Sequence, residues 1–566
     1  MNRRWIYKPV PEKERIQQLG EQLNINPFLT AILIQRGIDT FESARLFFRP
    51  SLQDLHDPFL MKDMTTAVGR LKKAIDSKEK ILIYGDYDVD GTTAVSLVYS
   101  YLREFYPLCD FYIPDRYTEG YGVSEAGIQW AEANGFTLII ALDLGIKASD
   151  MVMLANHKGI DFIICDHHLP DKRIPQAVAV LDPKQADCNY PFNELSGCGI
   201  GFKLIQAFAR KHGDESKLYD YLDLVVVSIA SDIVPINGEN RILAYYGLKK
   251  LNENPRPGLK ALKDIAAIKN DLEINGIVFT LGPRINAAGR VAHARGAVEL
   301  LISHTEEEAN GFAEKINVKN DLRREFDTNI TEEALSLIRS DERLKKAKTT
   351  VLFKNTWHKG VIGIVAARCI EHYYRPTVIL TESNEKITGS ARSVHGFDLY
   401  QAIEQCGDLL EKFGGHKYAA GLTLAPENLS AFQQRFEDVV SASITDDMLT
   451  PMVEIDLPIH FDAITSKFMS ILKQMAPFGP DNQRPVFEAV DVYVVNSLAT
   501  FKDRHLRFIA GQEGRKLMFS AVGFDLIAHY EKLKEGKTFQ MAFTIEENTF
   551  NGNTSIQLRV KDIKFA

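Results

Sequence analysis

The sequence predicts a multidomain α/β protein whose first large domain is built on a parallel β-sheet with helices on both faces. Short runs rich in Ile, Val and Leu recur at residues 81–84, 138–142, 162–165 and 178–181, and helix-like segments separate most of them. Buried parallel strands have this composition, because both of their faces are covered. A highly charged helical stretch follows, then a second α/β pattern and a C-terminal region of β-strand patterns with turn signals.

Composition places the chain among globular proteins. It has 566 residues, of which 45% are hydrophobic and 25% charged, and no apolar stretch approaches the roughly 20 residues that cross a bilayer. Its six cysteines form no CxxC pair, which predicts a reduced, cytoplasmic setting. The net charge of −8 does not indicate a nucleic-acid binder, although local basic groups matter more than the total when the site itself is acidic.

The patterns divide the chain into five segments. Residues 1–78 carry short amphipathic helices, such as 12–23 and 28–35, and residues 79–304 form the first α/β domain. Residues 305–346 are predicted to form a long connecting helix, and residues 347–445 a second α/β domain. Residues 446–566 are predicted to form a small β-barrel, with strands such as 492–495 and 539–545 and a hairpin turn at Asn551-Gly552.

Acidic residues follow three of the predicted strands directly. The segment 85–91 reads Gly-Asp-Tyr-Asp-Val-Asp-Gly, the segment 143–145 reads Asp-Leu-Gly, and the segment 166–168 reads Asp-His-His. A fourth acid, Asp232, follows the apolar run 224–230. Sites in open α/β sheets form outside the carboxyl ends of strands, so we expect these side chains to meet in one crevice.

Such a group of carboxylates requires neutralising charge, which divalent cations supply. Mixed carboxylate and imidazole ligands favour Mn²⁺, with Mg²⁺ as the alternative. Two ions about 4 Å apart activate water and stabilise the leaving oxygen of a phosphodiester. The competing interpretation is that each aspartate only caps the next helix. The ordered combination of the three acidic motifs argues against capping alone.

These motifs resemble those of the DHH phosphoesterases, and their detail resembles the RecJ family of exonucleases. The triplet 166–168 matches the sequence that names the superfamily, and 85–91 matches its first motif. Further matches run through nearly the whole chain in order. They are 115–122 (DRYTEGYG), 282–290 (GPRINAAGR), 357–363 (WHKGVIG), 414–416 (GGH) and 477–479 (PFG).

The resemblance implies a two-metal centre and identifies 79–304 as a DHH catalytic domain, 347–445 as a DHH-associated domain and 446–566 as an OB-fold. It implies that Asp166 orients the histidines and that His168 faces the scissile phosphate. Relatives often carry a histidine where this chain has Tyr84, which leaves the ligand set of the first metal open. The metal ligands that it implies are Asp86, Asp88, Asp90, Asp143, His167 and Asp232.

Further residues are candidates for binding DNA phosphates. Arg binds a phosphate bidentately, and a phosphate can come close to the backbone N–H of Gly because Gly has no side chain. Taken alone, the glycines would equally suit tight turns, and Arg392 a surface ion pair. Basic residues of the barrel, Lys502, Arg504, His505 and Arg507, suit a groove for single-stranded DNA, or else a solvated face. The candidate substrate-binding residues are Arg116, Arg284, Asn286, Arg290, Ser390, Arg392, Gly414, Gly415 and His416.

The resemblance therefore implies hydrolysis of single-stranded DNA from the 5′ end to 5′-mononucleotides, in recombination and repair. It also implies a single-strand binding protein and a helicase as partners. Two alternatives remain at this point. One is a DHH phosphoesterase for very short oligonucleotides, although such relatives are shorter and usually lack the barrel. The other is a DNA-binding scaffold without activity, although such relatives have lost metal-site acids that this chain keeps.

Overall fold

The computed structural model describes residues 3–291, 293–550 and 552–565. The chain forms two compact units, which are described separately. The first comprises residues 1–45, 324–474 and 484–566, and the second comprises residues 46–323 and 475–483. Among the described residues, no helix is long and apolar enough to cross a membrane.

The strands follow one another along the chain in numerical order. They are β1 (Arg4–Tyr7), β2 (Lys80–Gly85), β3 (Cys109–Tyr112), β4 (Phe136–Leu142), β5 (Asp161–Cys165), β6 (Ala179–Leu181), β7 (Thr350–Phe353), β8 (Thr377–Ser383), β9 (Lys386–Arg392), β10 (Lys412–His416), β11 (Ala419–Leu424), β12 (Met452–Ile455), β13 (Leu457–Pro458), β14 (Phe487–Phe501), β15 (His505–Gln512), β16 (Phe519–Gly523), β17 (Phe539–Phe550) and β18 (Asn553–Lys564).

The α-helices are numbered in the same way, and short 3₁₀ turns and one π-helical segment (Ile277–Leu281) lie between them. They are α1 (Lys13–Leu23), α2 (Pro27–Gln35), α3 (Phe41–Phe48), α4 (Met64–Asp76), α5 (Val89–Arg103), α6 (Glu125–Ala133), α7 (Ser149–His157), α8 (Gly197–His212), α9 (Leu222–Ser231), α10 (Gly238–Glu253), α11 (Pro257–Ile265), α12 (Ile274–Gly276), α13 (Gly282–Val291), α14 (Arg295–Leu301), α15 (Glu306–Ser340), α16 (Glu342–Lys346), α17 (Ile362–His372), α18 (Leu399–Glu404), α19 (Leu429–Ser443), α20 (Ser466–Gln474) and α21 (Tyr530–Lys534).

The second unit contains the predicted parallel sheet. Its strand order is β3-β2-β4-β5-β6, and every pair is parallel. Alternate strand residues pack into two cores, one formed with α4, α5, α8 and α9 and the other with α6 and α7. The sheet is therefore covered on both faces, as its continuous apolar runs predict.

The sequence pattern left two elements of this unit unassigned. Strand β3 was not predicted, because it is a short edge strand in which Asp110 interrupts the apolar pattern. The apolar run before Asp232 is a helix, α9, which is buried on all sides by its neighbours. A helix that is apolar all round cannot be told from a buried strand by periodicity alone.

The first unit contains a second sheet of order β10-β11-β9-β8-β7, in which only β7 and β8 run parallel. The C-terminal strands form the predicted barrel. Neighbouring strands pair in the order β14-β15-β16-β18-β17, and β17 pairs back with β14 to close the ring. Strands β17 and β18 remain paired up to Phe550 and Asn553, whereas Asn551 of the predicted turn lies outside the described residues.

The prediction that the N-terminal region is entirely helical was wrong at β1. This strand pairs in parallel with β12, from Arg4 opposite Met452 to Tyr7 opposite Ile455. The indole N–H of Trp5 also donates a hydrogen bond to Asp562 at 2.7 Å. The partners are more than 400 residues apart in sequence, so no local pattern could indicate the pairing.

Candidate metal centre and phosphate site

The carboxyl ends of four strands form one row across the sheet of the second unit. Gly85 pairs with Leu142, Leu142 with Cys165, and Cys165 with Leu181. The next residue in each strand is an aspartate, so the backbone register brings Asp86, Asp143, Asp166 and Asp182 to the same sheet edge. Asp182 was missed by the sequence analysis, although it follows the run 178–181 as the other three acids follow theirs.

The first motif is held by the start of α5. Asp88 caps this helix, because its Oδ1 accepts a hydrogen bond from the Gly91 N–H at 3.0 Å. Asp90 accepts from the peptide N–H groups of Gly197 and Cys198 at 2.7 and 2.8 Å, at the N-terminus of α8. Capping and clustering are therefore compatible at this motif, and the positive end of α8 stabilises the Asp90 carboxylate.

Helix α8 comes this close because residue 197 is glycine. A Cβ atom at Gly197 would lie 2.6 Å from the Cβ of Asp143. Asp143 itself has a φ of 61°, a left-handed conformation that Asp and Asn tolerate better than most residues. Its peptide N–H donates to the Cys165 carbonyl at 2.9 Å, which fixes the carboxylate at the strand end.

His167 lies at the centre of the acidic cluster. Its Nε2 is 3.2 Å from Asp143 Oδ1, 3.6 Å from Asp232 Oδ2 and 3.7 Å from Asp90 Oδ2. Neighbouring ligand atoms of an octahedral ion with bonds near 2.1 Å are about 3.0 Å apart, so these separations suit ligands of one ion. His167 Nε2 and Asp86 Oδ1 are buried with no hydrogen-bond partner among the described residues, as expected of atoms that bind a metal.

Electrostatics point to the same conclusion. Burial raises the pKa values of Asp86, Asp88, Asp143 and Asp232 above their usual range, and the neighbouring carboxylates raise them further. Burial also lowers the pKa of His167, which favours the neutral imidazole that metals bind. Carboxylates that repel one another in this way are stabilised by divalent cations.

Asp166 orients the second histidine. Burial would raise the pKa of Asp166, but hydrogen bonds from His168 and from the Ile146 N–H lower it to about 2. Its Oδ1 accepts from His168 Nδ1 at 2.7 Å, and Nε2 of His168 lies 3.3 Å from the Tyr121 hydroxyl. Burial opposes the charged form of His168, but the bond to Asp166 raises its pKa, so the ring is suited to face an anion.

His168→Ala is expected to lower the turnover number by about 100-fold or more and to leave Mn²⁺ affinity within a factor of a few, since we assign the ring to the substrate side. Turnover and calorimetric titration with Mn²⁺ measure the two effects separately. Because His168 also lies within ligand distance of Asp143 and His167, a large loss of Mn²⁺ affinity would instead make it a metal ligand.

The arginine motif meets the first motif through α13. Gly289 packs against the backbone of Tyr87, and a Cβ atom at Gly289 would lie 2.9 Å from the Tyr87 carbonyl oxygen. The guanidinium of Arg116 lies 5.0 Å from the centre of the Tyr87 ring, and both Arg116 and Arg290 influence the pKa of that tyrosine. Two of the predicted phosphate-binding arginines therefore lie beside the acidic cluster.

Arg284 and Asn286 occupy the other part of α13. The Arg284 guanidinium donates to the Thr280 carbonyl at 2.8 Å and to Asn317 Oδ1 at 3.3 Å. Six residues of helix, about 9 Å, separate it from Arg290. The side chains of Arg284 and Asn286 are half-buried, and a phosphate-binding role for these two residues stays a prediction.

Four of the five predicted phosphate-binding residues of the first unit, all except Gly415, share one face of its α/β sheet. Ser390 pairs across β11 with Gly414, and Arg392 pairs in the same way with His416. Gly363, at the start of α17, lies over them, because a Cβ atom there would be 2.8 Å from Ser390 Oγ. The N-terminus of an 11-residue helix thus meets a guanidinium and a hydroxyl, which is a suitable arrangement for a phosphate.

Residue 415 must be glycine because of its backbone conformation and its close neighbours. Its φ is 146°, and a Cβ atom there would lie 2.3 Å from the Ala419 carbonyl oxygen. Trp357 and Phe397 are buried in the cores of this unit and cannot stack on a base. In the other unit, Tyr121 is 58% exposed.

Three family models match the chain. They are the DHH family N-terminal domain over residues 80–229, the DHHA1 domain over residues 346–442 and the RecJ OB domain over residues 455–562. The single-stranded-DNA-specific exonuclease RecJ of Bacillus subtilis is 36% identical over 557 residues, which cover 98% of this chain and 70% of the relative. The chain belongs to the RecJ family. The RecJ of Escherichia coli is 32% identical over 88% of this chain and 89% of its own length.

Solved structures of RecJ proteins agree with this assignment. An exonuclease RecJ bound to manganese is 28% identical over 70% of this chain and 98% of its own, with a TM-score of 0.60. The Thermus thermophilus RecJ in complex with Mn²⁺ covers 100% of this chain and 80% of its own, with a TM-score of 0.85. At 23% identity that match shows the fold. The acids and histidines of the sheet edge fit the divalent metal cofactor of the family.

Proposed function

We propose that this RecJ-family protein is an exonuclease that hydrolyses single-stranded DNA from the 5′ end with two divalent metal ions, Mn²⁺ or Mg²⁺, and releases 5′-mononucleotides. The observation that supports the proposal most is the cluster of Asp90, Asp143 and Asp232 around His167. This cluster occurs in a chain that resembles single-stranded-DNA-specific exonucleases over nearly its whole length.

We assign Asp86, Asp88, Asp90, Asp143, His167 and Asp232 to the metal ions, which when bound activate water and stabilise the leaving oxygen. Asp166 holds the His168 ring toward the substrate through Nδ1, so that Nε2 can contact the scissile phosphate. Arg116 and Arg290 bind the phosphates next to it. Ser390, Arg392 and the two glycines of strand β10, Gly414 and Gly415, bind the terminal phosphate.

The alternatives from the sequence can be separated by one experiment. Purified protein is incubated with 5′-labelled and 3′-labelled single strands, with Mn²⁺ or EDTA. We expect the 5′ label to be released as a mononucleotide only with metal, while the 3′-labelled strand shortens progressively. Degradation of two- or three-nucleotide substrates alone would favour a short-oligonucleotide phosphoesterase, and binding without any cleavage would favour a scaffold.

The barrel offers a basic face for a longer strand. Arg507 of β15 pairs with Val522 of β16, which pairs with Arg559 of β18, so the two arginines lie in one cross-strand row. Arg559 also lies 5.1 Å from the centre of the Phe524 ring, which is 43% exposed. No local pattern in the sequence indicated Arg559. His505, which was predicted to belong to this face, is buried and accepts a hydrogen bond from the Asp525 N–H at 2.9 Å.

Charge reversal on this face is expected to weaken binding of long strands. Arg504 is paired with Asp525 at 3.2 Å, so Arg507→Glu tests the face with less disturbance than Arg504→Glu. The logarithmic salt dependence of strand binding should fall by about 0.7 for each phosphate that the protein no longer neutralises. Cleavage of a two- or three-nucleotide substrate should change little.

Lys534→Glu makes the same charge change in the exposed helix α21 and serves as the matched control. Fluorescence anisotropy over a range of salt concentrations and cleavage of short and long strands provide the readouts. Equal losses on short and long substrates would show that the barrel does not guide the DNA.

The finer assignments are also proposals. A single-strand binding protein and a helicase are the expected partners, in recombination and repair, and the cytoplasm is the expected location. Co-purification of the full chain with a tagged single-strand binding protein or helicase tests the expected partners. The described cysteines are all unpaired, which agrees with a reducing compartment.

A further inference from the structure

A cavity lies next to the end of β6, within the same unit as the acidic cluster. Its volume is about 610 Å³, and the loop that follows β6 forms most of its wall. Leu169, the residue after His168, forms another part of the wall. The wall of the cavity therefore lies one residue along the chain from His168, which we assign to the scissile phosphate.

Lys184 supplies the positive charge of the cavity. Its peptide N–H donates to Asp182 Oδ1 at 2.8 Å, which fixes the loop to the end of β6. The ammonium group lies 3.8 Å from Glu194 Oε2, too far for a hydrogen bond, and the side chain is 20% exposed. Lys184 opposes the burial that raises the pKa of Asp232, so its charge acts on the metal cluster as well as on the cavity.

The remaining walls suit a nucleotide. Leu169, Pro183 and Pro191 offer apolar surfaces, and Asn193 offers an amide. Leu169 is 63% exposed, which is unusual for a leucine beside a polar site. The volume lies within the range of about 300–1,000 Å³ that small-molecule sites occupy. Glu194 also faces this space and would repel an anion, so a bound phosphate would have to compete with it for Lys184.

We propose that this cavity binds a nucleotide phosphate through Lys184, with the sugar or base against Leu169 and the two prolines. The inference rests on the proposed nuclease function and adds a binding site on the β6 side of the metal centre. The phosphate can belong to the strand beyond the scissile bond or to the released mononucleotide. Both present the same anionic group, and kinetics distinguish them.

The test compares Lys184→Ala with Lys184→Arg, which keeps the charge, and with Glu194→Gln, which releases Lys184 from its competitor. Lys172→Ala, an exposed lysine in the preceding loop, is the control. With Mn²⁺ present, KM and kcat are measured on a long oligothymidylate, together with inhibition by thymidine 5′-monophosphate. Calorimetric titration with Mn²⁺ and thermal melting show whether the metal centre and the fold are intact.

Lys184→Ala should weaken phosphate binding about ten-fold, as expected for the loss of one charge-assisted hydrogen bond. If the strand occupies the cavity, KM rises and kcat is kept. If the product occupies it, inhibition by the mononucleotide weakens instead. Lys184→Arg should keep most of the affinity, and Glu194→Gln should strengthen binding about two- to five-fold.

Unchanged KM and unchanged inhibition in folded Lys184→Ala protein would overturn the proposal. A loss of Mn²⁺ affinity without either effect would overturn it too, because Lys184 would then act on the metal centre alone. Should the parent protein fail to degrade DNA, calorimetric binding of thymidine 5′-monophosphate to the parent and to Lys184→Ala still reports on the cavity. The failure of the nuclease function and the failure of this inference are thus separate results.

Discussion

Asp143→Asn is expected to reduce hydrolysis of single-stranded DNA by more than 100-fold while the protein stays folded. Its carboxylate has the shortest contact with His167, at 3.2 Å, and other carboxylates surround it. Asp143 is therefore the residue that would hold both ions, and the loss of such a ligand should exceed the 10- to 100-fold loss typical of a group that only supports a ligand. Asparagine is a better replacement than alanine, because residue 143 has a left-handed backbone conformation.

Asp143→Asn is expected to lower activity but to raise the stability of the metal-free protein. In metal-free protein at a pH above the ordinary aspartate pKa of about 4, burial and neighbouring carboxylates disfavour the charged Asp143, so Asp143→Asn should raise the melting temperature. With Mn²⁺ present, the parent protein should gain more stability than the variant. Asp150→Asn, on the exposed surface of α7, should change neither quantity. Near-normal turnover in folded Asp143→Asn protein would contradict the two-metal assignment.

Strands with a 5′-phosphate are expected to be degraded about ten-fold faster than strands with a 5′-hydroxyl, and Arg392→Ala should abolish that preference. Arg392 and Ser390 lie on one sheet face beneath the N-terminus of α17, and the guanidinium donates to Ser390 Oγ at 3.1 Å. A hydrogen bond to a charged group contributes about 1.5–3 kcal/mol, which corresponds to a factor of ten or more.

The measurement is kcat/KM on paired substrates that differ only in the terminal phosphate. Arg435→Ala removes an exposed arginine from α19 of the same unit and is the control. Discrimination by Arg392→Ala equal to that of the parent would place the terminal phosphate elsewhere. A parallel loss on both substrates would show that Arg392 supports the fold or the strand generally.

The sequence predicted those features that depend on local pattern. Continuous apolar runs indicated the buried parallel strands, and the acids after them indicated the sheet edge where they gather. Parallel strands in register bring their carboxyl ends together, so three motifs distant in sequence could be assigned to one site before any coordinates. The barrel was predictable for the same reason, since its strand patterns and turn signals are local.

The features that the sequence could not show depend on contacts between distant residues. The pairing of β1 with β12 and the position of Arg559 in the same cross-strand row as Arg507 arise from strand partners that no periodicity specifies. His505 is basic in sequence, but its burial depends on Phe501 and Phe524, which pack around it. Lys184 has no motif of its own, and its importance emerges only from the cavity and the charges around it.

The pairing of the first strand with β12 also has consequences for synthesis. Arg4–Tyr7 leaves the ribosome first, but its partner Met452–Ile455 is made about 22–90 s later at about 5–20 residues per second. During that interval the apolar Trp5 and the unpaired strand edge have no native partner, and an open edge favours aggregation. We therefore expect slow translation, or a C-terminal truncation that removes β12, to lower the soluble yield of the N-terminal half. The loss should be larger than the stability of the N-terminal half alone would predict.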